Sequence, residues 1–282
     1  MGSELAPLGL IAGSRLLPFV FAREARRQGR RVVAAAFEGE TDPALAVEVD
    51  EIEWLRVGQL GKMIRALADR GARECVMLGQ IAPKNLFDLR PDLRAMGVML
   101  RLKRRNAHTL FGAIAEELEK DGVRLVEALP WLQPWIPAKG FAAGPVPTPE
   151  EREDVAYGLG LAREIARLEI GQSVVVKRGT ALAVEGFEGT DACLERGGKL
   201  AGKDGGAVAV KVAKAGHDMR FDIPCIGPRT VETCAASGVR VLAVEAGRSL
   251  LLERDAVERL ARERGVSVVA HDGSDAVTSS GS

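Results

Sequence analysis

Leu8-Gly9-Leu10-Ile11-Ala12-Gly13-Ser14-Arg15 is the stretch whose reading decides the fold of the first half of this chain. An apolar run breaks at Gly13-Ser14-Arg15, and helical spacing then carries from Leu16 to Gln28 and stops at Gly29. That is a strand, a glycine turn and a helix. Working outward, Arg31 to Phe37, Glu51 to Val57 and Glu74 to Leu78 read as further buried strands, with a helix from Leu60 to Asp69 before the last. Leu60, Met63, Ile64 and Leu67 fall at i, i+3, i+4 and i+7, the apolar stripe of a helix lying on a sheet. Helices over Pro91 to Arg105 and Thr109 to Lys120 and a fifth strand, Arg124 to Ala128, continue the alternation. The fold class is therefore α/β, with a doubly wound parallel sheet.

In such sheets ligands sit beyond the carboxyl ends of the strands, which makes Gly13, Ser14, Gly79 and Gln80 the candidate substrate contacts of this half. The spacing Gly9-x-x-x-Gly13 is not the GxGxxG of a dinucleotide site. Glu38, at a strand end, is either a ribose ligand or a solvated terminus. The basic finish Lys103-Arg104-Arg105 either complements its helix dipole or rims a methionine-bearing wall for acyl chains.

From Leu129 to Pro149 six prolines interrupt the chain around Trp131, Trp135 and Phe141. This predicts a first domain over 1–129, a stiff linker over 130–149, a mixed α/β domain over 150–271 and a disordered tail over 272–282. The tryptophans either pack the linker onto a domain or touch a lipid interface. Thr148 with Glu151 three residues on is a capping box for a helix over 150–169. Lys177-Arg178-Gly179 reads as a hairpin turn, and helices and strands alternate again from Thr230 to His271.

The 282 residues are 46% apolar and 28% charged, which marks a globular chain. Lys plus Arg and Asp plus Glu are 39 each, so no basic excess favours nucleic acid. No apolar run reaches the roughly 20 residues of a membrane span, and the start lacks a signal-peptide pattern, which predicts a cytoplasmic protein. Four cysteines without a CxxC pair read as reduced, partly buried thiols, and three scattered histidines give zinc little support.

Chemistry concentrates between Glu185 and Arg229, where carboxylates and cations alternate on glycine and proline turns. Carboxylates hold a cation and Lys or Arg holds phosphoryl oxygens, so the mixture suits a phosphate-handling metal site; a solvated charged surface is the alternative. Glu185, Glu188 and Asp191 are candidate Mg²⁺ ligands, with Thr190 on a phosphate; Thr190 and Asp191 also suit a helix cap. Lys211 and Lys214 are point charges for a diphosphate. Asp222, between Phe221 and Ile223-Pro224, is costly there unless paired or metal-bound, which makes it the first candidate for a catalytic residue.

LGLIAG with LLP near the start, EIGQ at Glu169 to Gln172, EGTDA at Glu188 to Ala192, KVAK, FDIPCIGPRT at Phe221 to Thr230 and EAGR at Glu245 to Arg248 together resemble the LpxI-type UDP-2,3-diacylglucosamine pyrophosphatases of lipid A biosynthesis. The resemblance implies a Rossmann-like N-terminal domain, a separate C-terminal domain and a substrate chamber between them. It implies Mg²⁺-dependent hydrolysis to UMP and 2,3-diacylglucosamine 1-phosphate. The resemblance implies that the Asp of the family's D-[LI]-P motif, essential to catalysis there, falls on Asp222, and that the Asp of its EGTDA motif falls on Asp191. One departure stands out: where the family has Gly-Asp-Asp, this chain has Arg105-Asn106-Ala107-His108, with Asn106 and His108 as the polar substitutes.

Together these readings predict Mg²⁺ held by Asp222 with one or more of Asp191, Glu188 and Glu185. Lys211, Lys214 and Arg229 would hold the phosphoryl oxygens, and water would be the nucleophile. Expected partners are the lipid-linked sugar nucleotide and, peripherally, the inner face of the cytoplasmic membrane, with a homodimer as a candidate assembly. The rival readings are a non-catalytic binder of a sugar nucleotide or lipid phosphate and an NAD-type oxidoreductase.

Overall fold

The computed structural model describes residues 5–81, 91–102, 107–213, 219–221 and 223–272. The chain divides into two compact units: 1–133, which also takes in 218–222, and the remainder. Lys214, Asp222, Asn106 and the tail from 273 lie outside the described residues, as does the side chain of His108.

The first unit runs β1 (Leu8–Ala12), α1 (Leu17–Arg27), β2 (Val32–Phe37), β3 (Glu51–Leu55), α2 (Leu60–Ala68), β4 (Glu74–Leu78), α3 (Leu93–Arg101), α4 (Ala107–Lys120) and β5 (Arg124–Leu125). Its sheet is parallel throughout, in the order β3-β2-β1-β4-β5. The strand order reverses at β1, the doubly wound arrangement that the alternation predicts. Ile11, Val33, Ala35 and Phe37 pack under Leu60, Met63, Ile64 and Leu67 of α2 and under α3 and α4, while α1 lies on β1 and β2 with Val20, Phe21 and Ala25 buried. Trp131 packs edge-on against Phe21 with ring centroids 5.8 Å apart, and its carbonyl accepts from Gln28 Nε2 at 3.1 Å, so the packing alternative holds for this tryptophan.

Helix α3 starts at Leu93 rather than at the expected Pro91 because Asp92 caps it: one carboxylate oxygen accepts from Ala95 N at 2.9 Å and the other from Gly61 N, in α2, at 2.7 Å, while the basic finish Lys103-Arg104-Arg105 lies outside the described residues. The fifth strand also keeps only two of its expected residues, since the chain turns away into a 3-10 turn at Leu129–Trp131. Met219, Arg220 and Phe221 come from far along the sequence yet pack here. The Phe221 ring stacks on Phe111 at 5.5 Å, and Met219 is buried.

Glu117 joins α3 to α4. Its nearly buried carboxylate accepts from Arg94 Nε at 2.7 Å, Arg101 Nη2 at 2.5 Å and Lys120 Nζ at 2.5 Å. Lys120, then Arg94 and Arg101, hold its pKa down to about 2 from the ordinary 4.5. A depressed carboxyl stabilises the fold fully above its unfolded pKa and loses that contribution as pH falls toward the folded one. Urea midpoints measured from pH 5 to pH 2 should therefore fall more steeply for the natural chain than for Glu117→Gln. At pH 7 Glu117→Ala should cost about 2 kcal/mol, set low because Arg101 and Lys120 are more than half exposed. Parallel pH profiles for the two chains would refute this role.

The second unit runs β6 (Ala142–Ala143), α5 (Pro149–Arg167), β7 (Ser173–Lys177), β8 (Thr180–Val184), α6 (Thr190–Leu200), β9 (Ala207–Lys211), β10 (Cys225–Ile226), α7 (Pro228–Ser237), β11 (Val239–Glu245), β12 (Leu250–Leu251), α8 (Arg254–Arg264) and β13 (Ser267–His271). The order of the main sheet is β6-β13-β11-β9-β7-β8, with β7 antiparallel to both neighbours and joined to β8 by the expected hairpin at Lys177-Arg178-Gly179. Successive side chains alternate between two cores. Val174, Val176, Val208, Val210, Val241 and Ala243 pack under α5; Val175, Ala209, Leu242 and Val244 pack under α6, α7 and α8. Thr148 and Glu151 form the expected capping box. Two features depart from the linear reading. The 142–143 segment of the proline-rich stretch is an edge strand of this sheet, and β12 pairs with β10 in a separate ribbon.

Candidate functional site

The carboxyl ends of β8, β9, β11 and β13 and the start of β7 lie at one end of the second sheet. Ser173 is directly opposite Lys211, and the Ser173 carbonyl accepts from Glu185 N at 2.9 Å, so three polar side chains form a row across three strands. All three are buried: Ser173 is 1%, Glu185 6% and Lys211 8% exposed. Such a row is costly unless its members pair with one another or with a ligand.

Thr190, the first residue of α6, supplies the pairing. Its Oγ1 donates to Glu185 Oε1 at 3.1 Å, accepts from Lys211 Nζ at 3.2 Å and lies 3.4 Å from Ser173 Oγ. Lys211 Nζ also donates to the Cys225 carbonyl in β10 at 3.2 Å. Two of the three ammonium donors are thereby used. Glu185 Oε2 is buried with no hydrogen-bond partner among the described residues. The close approach depends on Gly171, where a Cβ would lie 2.1 Å from the Glu185 carbonyl oxygen.

The other candidates stand differently. Asp191, in the first turn of α6, faces Arg229 of α7 with Oδ2 and Nε 3.2 Å apart, and the Arg229 side chain is 80% exposed. Glu188 accepts from Arg196 at 2.5 Å and from Gly186 N at 3.0 Å; the Arg196 contact above all holds its carboxyl below the usual range. The structure thus brings Glu185, Thr190 and Lys211 together and engages Asp191 and Glu188 with arginines. Among the described residues no three His, Cys, Asp or Glu side chains converge as a ready-made metal cage. A hard cation such as Mg²⁺ takes one or two carboxylates and fills its remaining positions with waters and substrate oxygens. The free oxygen of Glu185 fits that donor pattern.

Ser173, the Cys225 carbonyl and Glu245 belong to this sheet end and are absent from the sequence-based selection. Glu245 carried a legible signal: like Asp222, it is an acid between an apolar strand and a turn. Cys75, Cys193 and Cys234 are buried thiols, each pushed up to about 12 by desolvation, which leaves little reactive thiolate at neutral pH.

In the first unit, Gly13, Ser14, Gly79 and Gln80 meet at the strand-order reversal, and they meet each other. Ser14 N and Oγ both donate to the Gln80 carbonyl, at 2.8 and 2.7 Å, and Gln80 N donates to the Ser14 carbonyl at 3.3 Å. Gly79 has φ +92, and a Cβ there would lie 2.5 Å from the Ser14 carbonyl oxygen. Glu38 is 3.5 Å from Arg56.

In class this is a two-unit α/β protein, with a doubly wound parallel sheet in one unit and a buried lysine–threonine–carboxylate cluster at the strand ends of the other. Residues 7–135 match the LpxI N-terminal domain and residues 138–269 the LpxI C-terminal domain. The chain belongs to the LpxI family. It is 32% identical over 278 residues to the UDP-2,3-diacylglucosamine pyrophosphatase LpxI of Caulobacter vibrioides, covering 94% of this chain and 97% of that relative.

Proposed function

We propose that this chain hydrolyses UDP-2,3-diacylglucosamine at its diphosphate, releasing UMP and 2,3-diacylglucosamine 1-phosphate with Mg²⁺ as cofactor. The observation that carries this reading is the end-to-end likeness to a pyrophosphatase of that substrate. The buried Lys211–Thr190–Glu185 cluster supports it, because it offers a cation and a carboxylate side by side at a sheet end.

Lys211 brings one remaining N–H donor to a phosphoryl oxygen, and Lys214 and Arg229 add positive charge. Thr190 keeps Lys211 oriented and stands at the start of α6, where backbone N–H groups favour an anionic ligand. Glu185, Asp191 and Asp222 would hold Mg²⁺, with Glu188 joining only by leaving Arg196. Bound there, Mg²⁺ supplies charge neutralisation of the diphosphate. Asp222 orients the attacking water and accepts its proton. Gly13, Ser14, Gly79 and Gln80 would contact the nucleotide through the surface of the turns they form, since the Ser14 hydroxyl and the Ser14 and Gln80 amides are already committed to bonds between these turns.

The diacyl substrate is a lipid, so the proposed setting is cytoplasmic, with peripheral contact at the inner membrane and a homodimer as the assembly to examine. No helix among the described residues is long and apolar enough to cross a membrane. Purified protein incubated with UDP-2,3-diacylglucosamine should release UMP with Mg²⁺ and fall to background with EDTA, recovering when Mg²⁺ is restored. Release that ignores EDTA would remove the metal from the reading. Binding without release would favour a protein that only holds the sugar nucleotide.

A further inference from the structure

The geometry points to Glu245 as a positioning residue for this site, one that sets the exit of β9 immediately after Lys211. Glu245 ends β11 on the α5 side of the sheet and is 7% exposed. Its Oε2 accepts from Ala213 N at 3.2 Å, and its Oε1 accepts from Arg163 Nη2 of α5 at 2.9 Å. The same guanidinium nitrogen donates to the Asp272 carbonyl at 2.9 Å.

The backbone ladder explains why a carboxylate belongs there. Val212 N donates to the Gln172 carbonyl at 2.9 Å, the last rung between β9 and the start of β7. Ala213 N is the next donor along and is also buried, so it needs an acceptor from outside the ladder. Glu245 supplies one, and Arg163 balances the buried charge. Two residues before Ala213, Lys211 must aim its ammonium at both Thr190 Oγ1 and the Cys225 carbonyl, each 3.2 Å away. A backbone free to turn elsewhere at Ala213 would relax that aim. The Arg163 side chain is 41% exposed, so its pairing with Glu245 adds little stability of its own, and the particular contribution of the carboxylate is the acceptor it gives to the buried Ala213 amide.

The inference rests on the pyrophosphatase reading for its activity readout and on amide exchange for a readout that does not. Glu245→Ala should lower kcat for UMP release about 100-fold with KM little changed, the scale of a misplacement near 1 Å. Glu245→Gln retains an oxygen for Ala213 N and should recover to within about tenfold of the natural protein. Hydrogen exchange at Ala213 N should be at least about tenfold faster in Glu245→Ala than in the natural protein or Glu245→Gln. Two kinetic outcomes overturn the inference: kcat of Glu245→Ala within about threefold of normal, or Glu245→Gln as slow as Glu245→Ala with the same loss of Tm, the mark of a strut. Unchanged Ala213 exchange in Glu245→Ala overturns it by itself. Absence of UMP release from the natural protein would instead sink the pyrophosphatase reading and leave the exchange result to decide the anchoring.

Discussion

Asp222→Ala should abolish UMP release, by about 10³-fold or more, and leave the affinity for UDP-2,3-diacylglucosamine within a few-fold of normal. The carboxylate follows Phe221, which packs with the first unit against Phe111, and precedes Ile223, which belongs to the second. Asp222 itself lies outside the described residues, and its case rests on local chemistry and on the family's D-[LI]-P motif. The expectation from local sequence is that a carboxylate flanked by two apolar residues, wherever it is buried, is costly unless paired or metal-bound. An effect on kcat with binding retained is the mark of a group used in the transition state. Calorimetric titration of the variant alongside a UMP assay separates the two quantities. A variant with near-normal kcat would remove Asp222 from the chemistry.

Lys211→Met should lower kcat/KM about 10²-fold, the usual scale for removing one preorganised donor to a charged transition state. Methionine keeps most of the apolar stem in its buried slot and deletes the ammonium. The change also takes a donor from Thr190 Oγ1 and the Cys225 carbonyl beside a buried carboxylate, so stability should fall by about 1–3 kcal/mol. Thr190→Val is the control, because it disturbs the same cluster and keeps the cation. If Lys211 acts on the phosphate, Thr190→Val retains much more activity than Lys211→Met at a comparable urea midpoint. Equal activities at equal stability would make Lys211 a strut that ties β10 to β9. Lys211→Arg is no conservative substitute, since a planar guanidinium cannot place its donors where a compact ammonium does.

The candidate residues of the two units differed in how much of each set could be read along the chain. Gly13, Ser14, Gly79 and Gln80 follow from one rule, that the ends of β1 and β4 meet where a doubly wound sheet reverses its order, and they do meet. Their mutual hydrogen bonds could not be read in that way, because they depend on how two turns 66 residues apart approach each other. In the second half Glu185, Thr190 and Lys211 were each selected for charge or turn chemistry, and nothing local told that Glu188, three residues from Glu185, would be held by Arg196 instead.

Local sequence was sufficient for the strand–turn–helix of the opening residues, the stripe on α2, the capping box at Thr148 and the motif set that marks an LpxI-family chain. Each is written within a few residues, in a side-chain period or in a backbone group needing a nearby partner. Only the tertiary structure decided that Lys211 meets Thr190, that Glu245 takes the Ala213 amide, and that 219–221 pack with a unit whose sheet was complete about a hundred residues earlier. Periodicity says which side chains turn inward. It does not say which strand lies alongside or in what register, because that choice is made by whole faces packing together and by the few orphaned polar groups that must then find partners.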